Sequence, residues 1–391
     1  MSARKIIDVV IASAVRTPVG RFRGALASVT APELGAVAIR GALDKAAIDP
    51  ALVKEVYMGN VLQAGEGQAP ATQALIKAGL SESTPATTIN KVCASGMKAV
   101  MLATQNIQLG IQPAMVAGGM ESMSNVPFYA PRGREYGHGE LTDGIVKDGL
   151  WDVYNRIHMG GCAENTARKH GIAREAQDAH AVASYRRAAA AWDAGVFANE
   201  VVPVTVRSRK GDRLVAVDEE YTNVNFDKIT SLRPVFEKDG TVTAANASTL
   251  NDGASALLLM AAESAAAHGV APLARIVSYA DAATHPIDFP IAPSLAVPIA
   301  LERAGLATKD ISLWEFNEAF SVVARVNEKI LGLDPAAVNV AGGAVALGHP
   351  IGSSGARIVV TLAHLLKPGQ FGCASICNGG GGASAIVIQR L

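Results

Sequence analysis

The sequence predicts an α/β fold made of two similar halves with a long insertion between them. Three observations lead there. Buried-strand and helix patterns alternate along the first 120 residues, a later stretch repeats an earlier one at a fixed offset, and a polar segment interrupts the alternation from Glu121 to Ala247.

Ile6 to Ser13 reads as a buried strand, and the apolar spacing from Pro32 to Ala47 predicts a helix. Val53 to Met58 reads as a second strand and Gln68 to Ala78 as a short helix. Thr87 to Asn90 leads into a helix that begins near Cys93 and stops around Leu109-Gly110, and Met115 to Gly119 is another strand. The repeat follows. Ala42-Leu43, Ala46, Ile48 and Val53 return as Ala300-Leu301, Ala304, Leu306 and Ile311, offset by 258, each passage running into a β-like stretch. Gly253-Ala254-Ser255-Ala256 returns as Gly382-Ala383-Ser384-Ala385, again before an apolar strand. We therefore expect one half over 1–120 plus 248–270 and the other over 271–391, with 121–247 as a loop domain acting as a substrate cover. Within that insertion, Ala173 to Trp192 reads as a helix, and Lys210-Gly211-Asp212 as a hairpin turn between Val201–Val206 and Leu214–Val217.

Hydrophobic residues make up 49% of the chain, which allows a large core. Lys plus Arg equals Asp plus Glu at 35 each and no basic arm is present, so nucleic acid is not an expected partner. No apolar run reaches the roughly 20 residues that span a bilayer, so no membrane partner is expected. Cysteines stand only at 93, 162, 373 and 377, which suits reduced thiols in a cytoplasmic protein; Cys373 and Cys377 lack the second ligand pair of a zinc site. Met1 to Lys5 enter the first strand at once and are expected to carry no targeting peptide.

Chemistry gathers at three places. Cys93 lies in Asn90-Lys91-Val92-Cys93-Ala94-Ser95-Gly96, a polar turn entering a helix; Asn90 is a candidate cap, and free N–H groups at a helix start favour a thiolate. His349 is the first wide polar side chain in the Gly- and Ala-rich run Asn339 to Arg357, a stretch expected to leave room for a ligand, and its imidazole suits the role of base for a thiol. Cys377 ends the strand-like Phe371–Ile376, ahead of Gly379 to Gly382, whose N–H groups suit a developing oxyanion. Asn317-Glu318-Ala319-Phe320 follows a strand, where a ligand crevice is common. Asn246 to Gly253 is a small polar segment suited to an amide-bearing ligand. Taken singly, each also reads as structure: a buried thiol, a satisfied loop imidazole, a tight turn.

Together these segments resemble the thiolase family, on Asn90 to Gly96, Asn317 to Phe320, Gly348-His349-Pro350 and Cys377-Asn378-Gly379, in the family's order and over essentially the whole chain. The resemblance implies two duplicated five-stranded βαβ layers packed α-β-α-β-α, with a loop domain over the pantetheine of coenzyme A. It implies a reversible Claisen condensation of two acetyl-CoA to acetoacetyl-CoA and CoA in a homotetramer, with no prosthetic group. By the same resemblance Cys93 takes the acyl group, His349 activates it, and Cys377 moves a proton on and off C2 of the second acetyl-CoA. Asn317, through a water, and His349 form one oxyanion hole; the N–H groups of Cys93 and Gly379 form the other. Ser248 contacts the pantetheine amide, His158 and Met159 shape the acyl pocket beside Phe320, and Asn223, Asn225 and Lys228 lie at the nucleotide end. The family's usual basic residue is absent at Asn223. Tyr185, Ala244, Ala245, Ala247 and Val345 match positions that hold potassium in some members, with Tyr185 and Ala244 also near the coenzyme.

Three other readings stay open from the sequence. A 3-ketoacyl-CoA thiolase of broader chain length shares the motifs. A ketoacyl-carrier-protein synthase shares the general fold but uses a histidine where Cys377 stands. A sterol-carrier-like relative would bind CoA or lipid without forming an acyl-enzyme.

Overall fold

The computed structural model describes residues 6–133 and 136–391. The expectation about a targeting peptide in Met1 to Lys5 lies outside the described residues.

The first half opens with β1 (Val9–Arg16) and α1 (Ala31–Ala46), followed by β2 (Glu55–Gly59), α2 (Pro70–Lys77) and β3 (Ala86–Ile89). Then come α3 (Ser95–Gln108) and β4 (Ala114–Ser122). The insertion contributes α4 (Met159–His170) and α5 (Arg174–Asp193) before β5 (Asn251–Ala261) returns to the first sheet. The second half runs β6 (Ala274–Ala283), α6 (Pro293–Ala304), β7 (Ile311–Phe316), α7 (Ser321–Leu331), α8 (Ile351–Leu365), β8 (Phe371–Asn378) and β9 (Gly382–Arg390).

Strand order carries the duplication. In the first half β3-β2-β4-β5-β1 are neighbours, with β2 parallel to β3 and β4, and β5 antiparallel to β4 and β1. The second half repeats this as β7-β8-β9-β6, parallel once and then antiparallel twice. The offset of the sequence repeat survives in detail: short 3-10 turns occupy Pro50–Leu52 and Thr308–Asp310, one after each matching helix. Among the described residues the two sheets pair at Val10–Arg275 and Ile11–Ala274, so they touch along one margin and otherwise face each other across α3 and α8. α1 and α2 cover the outer face of the first sheet, α6 that of the second, giving the five layers.

The second sheet departs from the expected five strands. Where β3 lines β2, the equivalent chain beside β7 makes a single parallel bridge, Trp314 to Val338. Asn339 then turns left-handed at φ 47°, and its side-chain amide accepts from Phe316 N and donates to Phe316 O, both at 2.8 Å. One amide thus satisfies the two backbone groups that a fifth strand would have paired.

The first strand begins and ends three residues later than expected because Arg16 is an inward group. Its guanidinium bonds Glu200 at 2.5 Å and Asp218 at 2.7 Å, and the side chain is 1% exposed. A charge at a strand's end reads as solvent-facing until its buried partners, both supplied by the insertion, are known. The hairpin at Lys210–Asp212 forms as expected, pairing Val204–Val206 with Arg213–Val215. Among the described residues no helix is long and apolar enough to cross a membrane.

Candidate active site

The two central helices place the two main reactive groups in matching positions. Cys93 stands two residues before α3 and His349 two residues before α8. Close backbone contact makes this possible: a side chain at Gly119 on β4 would put its Cβ 2.0 Å from Gly352 O at the start of α8. Only glycine lets α8 seat that deeply.

Around Cys93 the sequence reading needs two corrections. Asn90 does not cap α3; its Oδ1 accepts from Val92 N at 3.0 Å within the turn, and the residue in the cap position is Ala94. The turn bends through Val92, held at φ 48°, an unfavourable region for a β-branched residue that costs on the order of 1–3 kcal/mol. Nor does the helix start yield a thiolate. Burial pushes the Cys93 thiol up to about 12, with Glu121 adding to it, although the N–H groups of Gly379 and of Cys93 itself pull the other way. Burial wins, so Cys93 rests as a neutral thiol.

His349 is only 5% exposed, and burial, helped by Arg357, holds its imidazole down to about 3, so it is neutral. Its Nδ1 lies 2.6 Å from Ser354 Oγ, and that hydroxyl donates to Pro350 O at 3.0 Å. Ser354 therefore accepts from Nδ1–H, which leaves Nε2 as the basic nitrogen. Nε2 faces Asn317 Nδ2 at 3.4 Å. Asn317 Oδ1 is buried with no partner among the described residues, an acceptor that a donor such as a bound water would satisfy. The His349 backbone N–H bonds Asn251 Oδ1 at 2.8 Å. Gly348 adopts φ 101° there, and a Cβ on it would lie 2.6 Å from the Asn251 amide carbon.

The glycine-rich run around His349 was expected to leave space for a ligand, and it borders the cavity beside Cys93 only through His349 and Ile351, not through its glycines. A Cβ at Gly343 would strike Glu318, at Gly352 Met120 O, and at Gly355 Met97, so the chain's own packing fills that space. Glu318 is the hub of this packing. It accepts from Ser184 Oγ at 2.8 Å, Asn339 Nδ2 at 2.7 Å and Val345 N at 3.1 Å, with His180 at 3.1 Å. Burial pushes its carboxyl up, but His180, Asn339 and Ser184 outweigh that and hold it down to about 2.

Cys377 is fully buried at the end of β8, packed with Met159, Ala319 and Phe320, and burial together with Cys93 raises its thiol well above the usual range. The hairpin after it needs glycine at Gly381, with φ 83° and Thr284 O 2.2 Å from a Cβ; at Gly379 a Cβ would meet only ordinary contacts. Gly379 is left to present its N–H to the Cys93 sulfur.

Cys93, His349 and Gly379 line a cavity of about 360 Å³ with His158, Met159, Ser248 and Phe320. His158 stacks on Phe236 at 4.8 Å and accepts from Gly160 N through Nδ1 at 3.1 Å. Ser248 donates to Ala319 O at 2.8 Å. Of the segment Asn246–Gly253, only Ala247 to Leu250 reach this cavity; Asn246 is tied to Asp178 and Thr241 inside the protein. The cavity opens through Phe236 and Ala247–Leu250 into a second of about 480 Å³. Through Glu220, Ala244 and Thr249 that one adjoins a third of about 270 Å³, lined by Tyr185, Asn223, Asn225, Lys228 and Ala245. A continuous groove thus leads from the thiol to a lysine. Asn223 donates to Glu219 O and Asn225 accepts from Asp227 N, so both amides are partly committed. Val345 lines none of these cavities; it packs in the buried cluster around Tyr185.

Residues 9–263 match the family model for the thiolase N-terminal domain, and residues 270–390 that for the thiolase C-terminal domain. The chain belongs to the thiolase family. Acetyl-CoA acetyltransferase A, mitochondrial, of Xenopus laevis is 63% identical over the whole of this chain and 94% of its own length. The mitochondrial acetyl-CoA acetyltransferase of Homo sapiens is 62% identical over 98% of this chain and 91% of its own. Among solved structures, the Acat5 thiolase of Ascaris suum in complex with coenzyme A aligns with TM-score 0.95 at 49% identity, covering 98% of this chain and all of its own. The Bacillus anthracis acetyl-CoA acetyltransferase aligns at 0.96 and 39% over both whole chains. This thiolase is an acyltransferase of the acetyl-CoA acetyltransferase kind, which removes the carrier-protein synthase and the non-enzymatic binder as readings. The cytoplasmic location expected from its sequence is overturned, because these close relatives are named as mitochondrial enzymes.

Sequence reasoning missed Ser354, and took Asn251 only as part of a ligand-facing segment rather than as the partner of the His349 backbone. Ser354 had a signal, a hydroxyl one helical turn beyond the histidine, but nothing near His349 in the sequence announces Asn251.

Proposed function

We propose that this thiolase runs its acetyl transfer through an acetyl-Cys93 intermediate, with the roles divided as follows. His349 Nε2 removes the Cys93 proton as the sulfur attacks the thioester carbon of acetyl-CoA. The N–H groups of Cys93 and Gly379 hold the oxyanion of the tetrahedral adduct, and the proton returns to the departing CoA sulfur. Cys377, its own proton passed to His349 Nε2, then takes a proton from C2 of a second acetyl-CoA. The enolate oxygen is held from the side of His349 and an Asn317-bound water, C2 attacks the acetyl carbon, and His349 returns its proton to the released Cys93 sulfur. The observation that carries this reading is that Cys93 and His349 line one cavity while Ser354 Oγ takes up His349 Nδ1 at 2.6 Å, which supports Nε2 as the base.

The groove supports an extended coenzyme A, with its pantetheine arm beside Ser248, the insertion 121–247 as its cover and the nucleotide near Asn223, Asn225 and Lys228. His158, Met159, Phe236 and Phe320 crowd the thiol end and favour a short acyl group. The residues also suit potassium. The Tyr185 ring is buried, and Ala244 and Ala245 share its small cavity, their carbonyls accepting no hydrogen bond among the described residues. With Ala247 and Val345 these would hold a weakly bound hard cation, which would supply positive charge beside the coenzyme. The homotetramer has support in β3, the strand at one end of the sheet, and in the exposed Phe128, Leu141, Trp151 and Tyr154 of the insertion.

Mass mapping of protein mixed with acetyl-CoA tests the roles. Wild type and Cys377→Ala should carry acetyl on Cys93, Cys93→Ala should carry none, and Cys377→Ala should make no acetoacetyl-CoA. Acetylation of Cys93→Ala at the wild-type rate would refute the assignment.

A further inference from the structure

The reaction needs groups from both halves at one carbon: Cys93 from a turn of the first half, and Cys377 and the Gly379 N–H from a hairpin of the second. Something has to fix the distance between turn and hairpin. Lys91, two residues before the nucleophile, reaches across the boundary. Its Nζ donates to Ser384 Oγ at 2.8 Å and to Ala383 O at 3.2 Å, and it pairs with Asp281 Oδ1. Ala383 is the cross-strand partner of Cys377 on β9, and Asp281 on β6 is the partner of Ser384. Ser384 Oγ donates to Asp281 at 2.6 Å, so lysine, serine and aspartate close into one network.

The near end is as firmly held. Lys91 N donates to Ser95 Oγ at 2.9 Å, and that hydroxyl donates to Val92 O at 2.6 Å. The strained Val92 lies between, so the turn carrying Cys93 is fixed on the helix side by Ser95 and on the hairpin side by Lys91. Lys98 on α3 also pairs with Asp281, at 2.7 Å, but bonds no hairpin residue. It offers a built-in comparison: the same carboxylate, without the link to the hairpin.

We propose that Lys91, anchored by Asp281 and Ser384, is a positioning residue that sets the nucleophile turn against the Cys377–Gly379 hairpin. It touches no reacting atom. Its effect runs through the alignment of the Cys93 sulfur with the Gly379 N–H and with Cys377. A displacement near 1 Å at such a site costs on the order of 100-fold in rate. The inference rests on the roles proposed above for Cys93 and Cys377.

Kinetics of Lys91→Met, Lys91→Arg and Lys98→Met test it, alongside thermal midpoints and rapid-quench acetylation of Cys93. Lys91→Met should lose roughly 10- to 100-fold in kcat and in the acetylation rate, with KM for acetyl-CoA within about 3-fold. Lys91→Arg should recover part of that loss, and Lys98→Met should stay within about 3-fold of wild type. Equal kcat losses in Lys91→Met and Lys98→Met, a loss confined to KM, or an unaltered kcat would overturn the proposal. Should Lys91→Met not fold, Ser384→Ala serves, since it removes one acceptor and leaves the ion pair; a several-fold fall in kcat supports the proposal and a wild-type kcat overturns it. If Cys93→Ala and Cys377→Ala behave as proposed while Lys91→Met is normal, only this inference fails. If they do not, the assignment of roles fails first.

Discussion

The Nδ1 of His349 and the hydroxyl of Ser354 lie 2.6 Å apart, and with the Ser354 proton directed to Pro350 O at 3.0 Å and Asn317 Nδ2 facing Nε2, the imidazole is the donor through Nδ1. One hydroxyl thereby decides which nitrogen faces the substrate. Ser354→Ala should lower kcat about 10-fold, the equivalent of one lost hydrogen bond of roughly 1.4 kcal/mol, with KM within about 2-fold. Steady-state kinetics read this directly, and an unchanged kcat would remove Ser354 from the account.

The neutral state of Cys93 has its own signature. With the thiol pushed up to about 12 by burial, alkylation of Cys93 by iodoacetamide should keep accelerating as pH rises, with no plateau below about pH 9. A plateau near neutrality would reveal a preformed thiolate.

Two buried carboxylates make stability depend on pH. Burial pushes Glu66 up to about 7, against its bond from Asn60, while burial and the neighbouring Glu66 push Glu121 up to about 8. Both folded values lie above the unfolded one of about 4.5, so the folded protein holds protons that the unfolded chain releases. Their contribution is complete below about pH 4.5 and is lost as pH rises through 7 and 8. Glu66→Gln should weaken that loss by on the order of 1–2 kcal/mol between pH 5 and 9, as read by urea unfolding. Equal losses in wild type and variant would contradict the coupling.

Asn339→Ala should destabilise the protein by about 3 kcal/mol or more in chemical denaturation. It strips partners from Phe316 N, Phe316 O and Glu318 Oε1 and leaves alanine in a left-handed conformation. A cost under about 1 kcal/mol would mean that the amide does not stand in for the absent strand.

Gly348→Ala forces a methyl group against the Asn251 amide that holds the His349 backbone. We expect a loss of about 100-fold in kcat from displacement of the imidazole, with the far-ultraviolet circular dichroism retained. Wild-type turnover would show that the loop absorbs the methyl group without moving the base.

That Cys93, His349 and Cys377 lie near one another was legible because such side chains stand out among small residues, and the duplication because its offset is constant in the chain. Their electrostatics were not. The helix start suggested a thiolate because that argument uses only the residues next to Cys93, whereas the burial that overrides it comes from residues distant in the chain, such as Val61, Met123, Ile145 and Ile351. The fifth strand beside β7 failed for another reason: a side chain doing a strand's hydrogen bonding leaves no periodic pattern. Nothing beside Lys91 in the sequence points to its role, because its partner Asp281 lies 190 residues away.

Cys93 and His349 occupy equivalent places in the two repeats, one ahead of each central helix. A single-repeat ancestor that paired with itself would have carried the same side chain at both places, two thiols or two imidazoles facing one another. Joining the two copies in one chain lets the matching places differ, and here one holds a thiol and the other an imidazole.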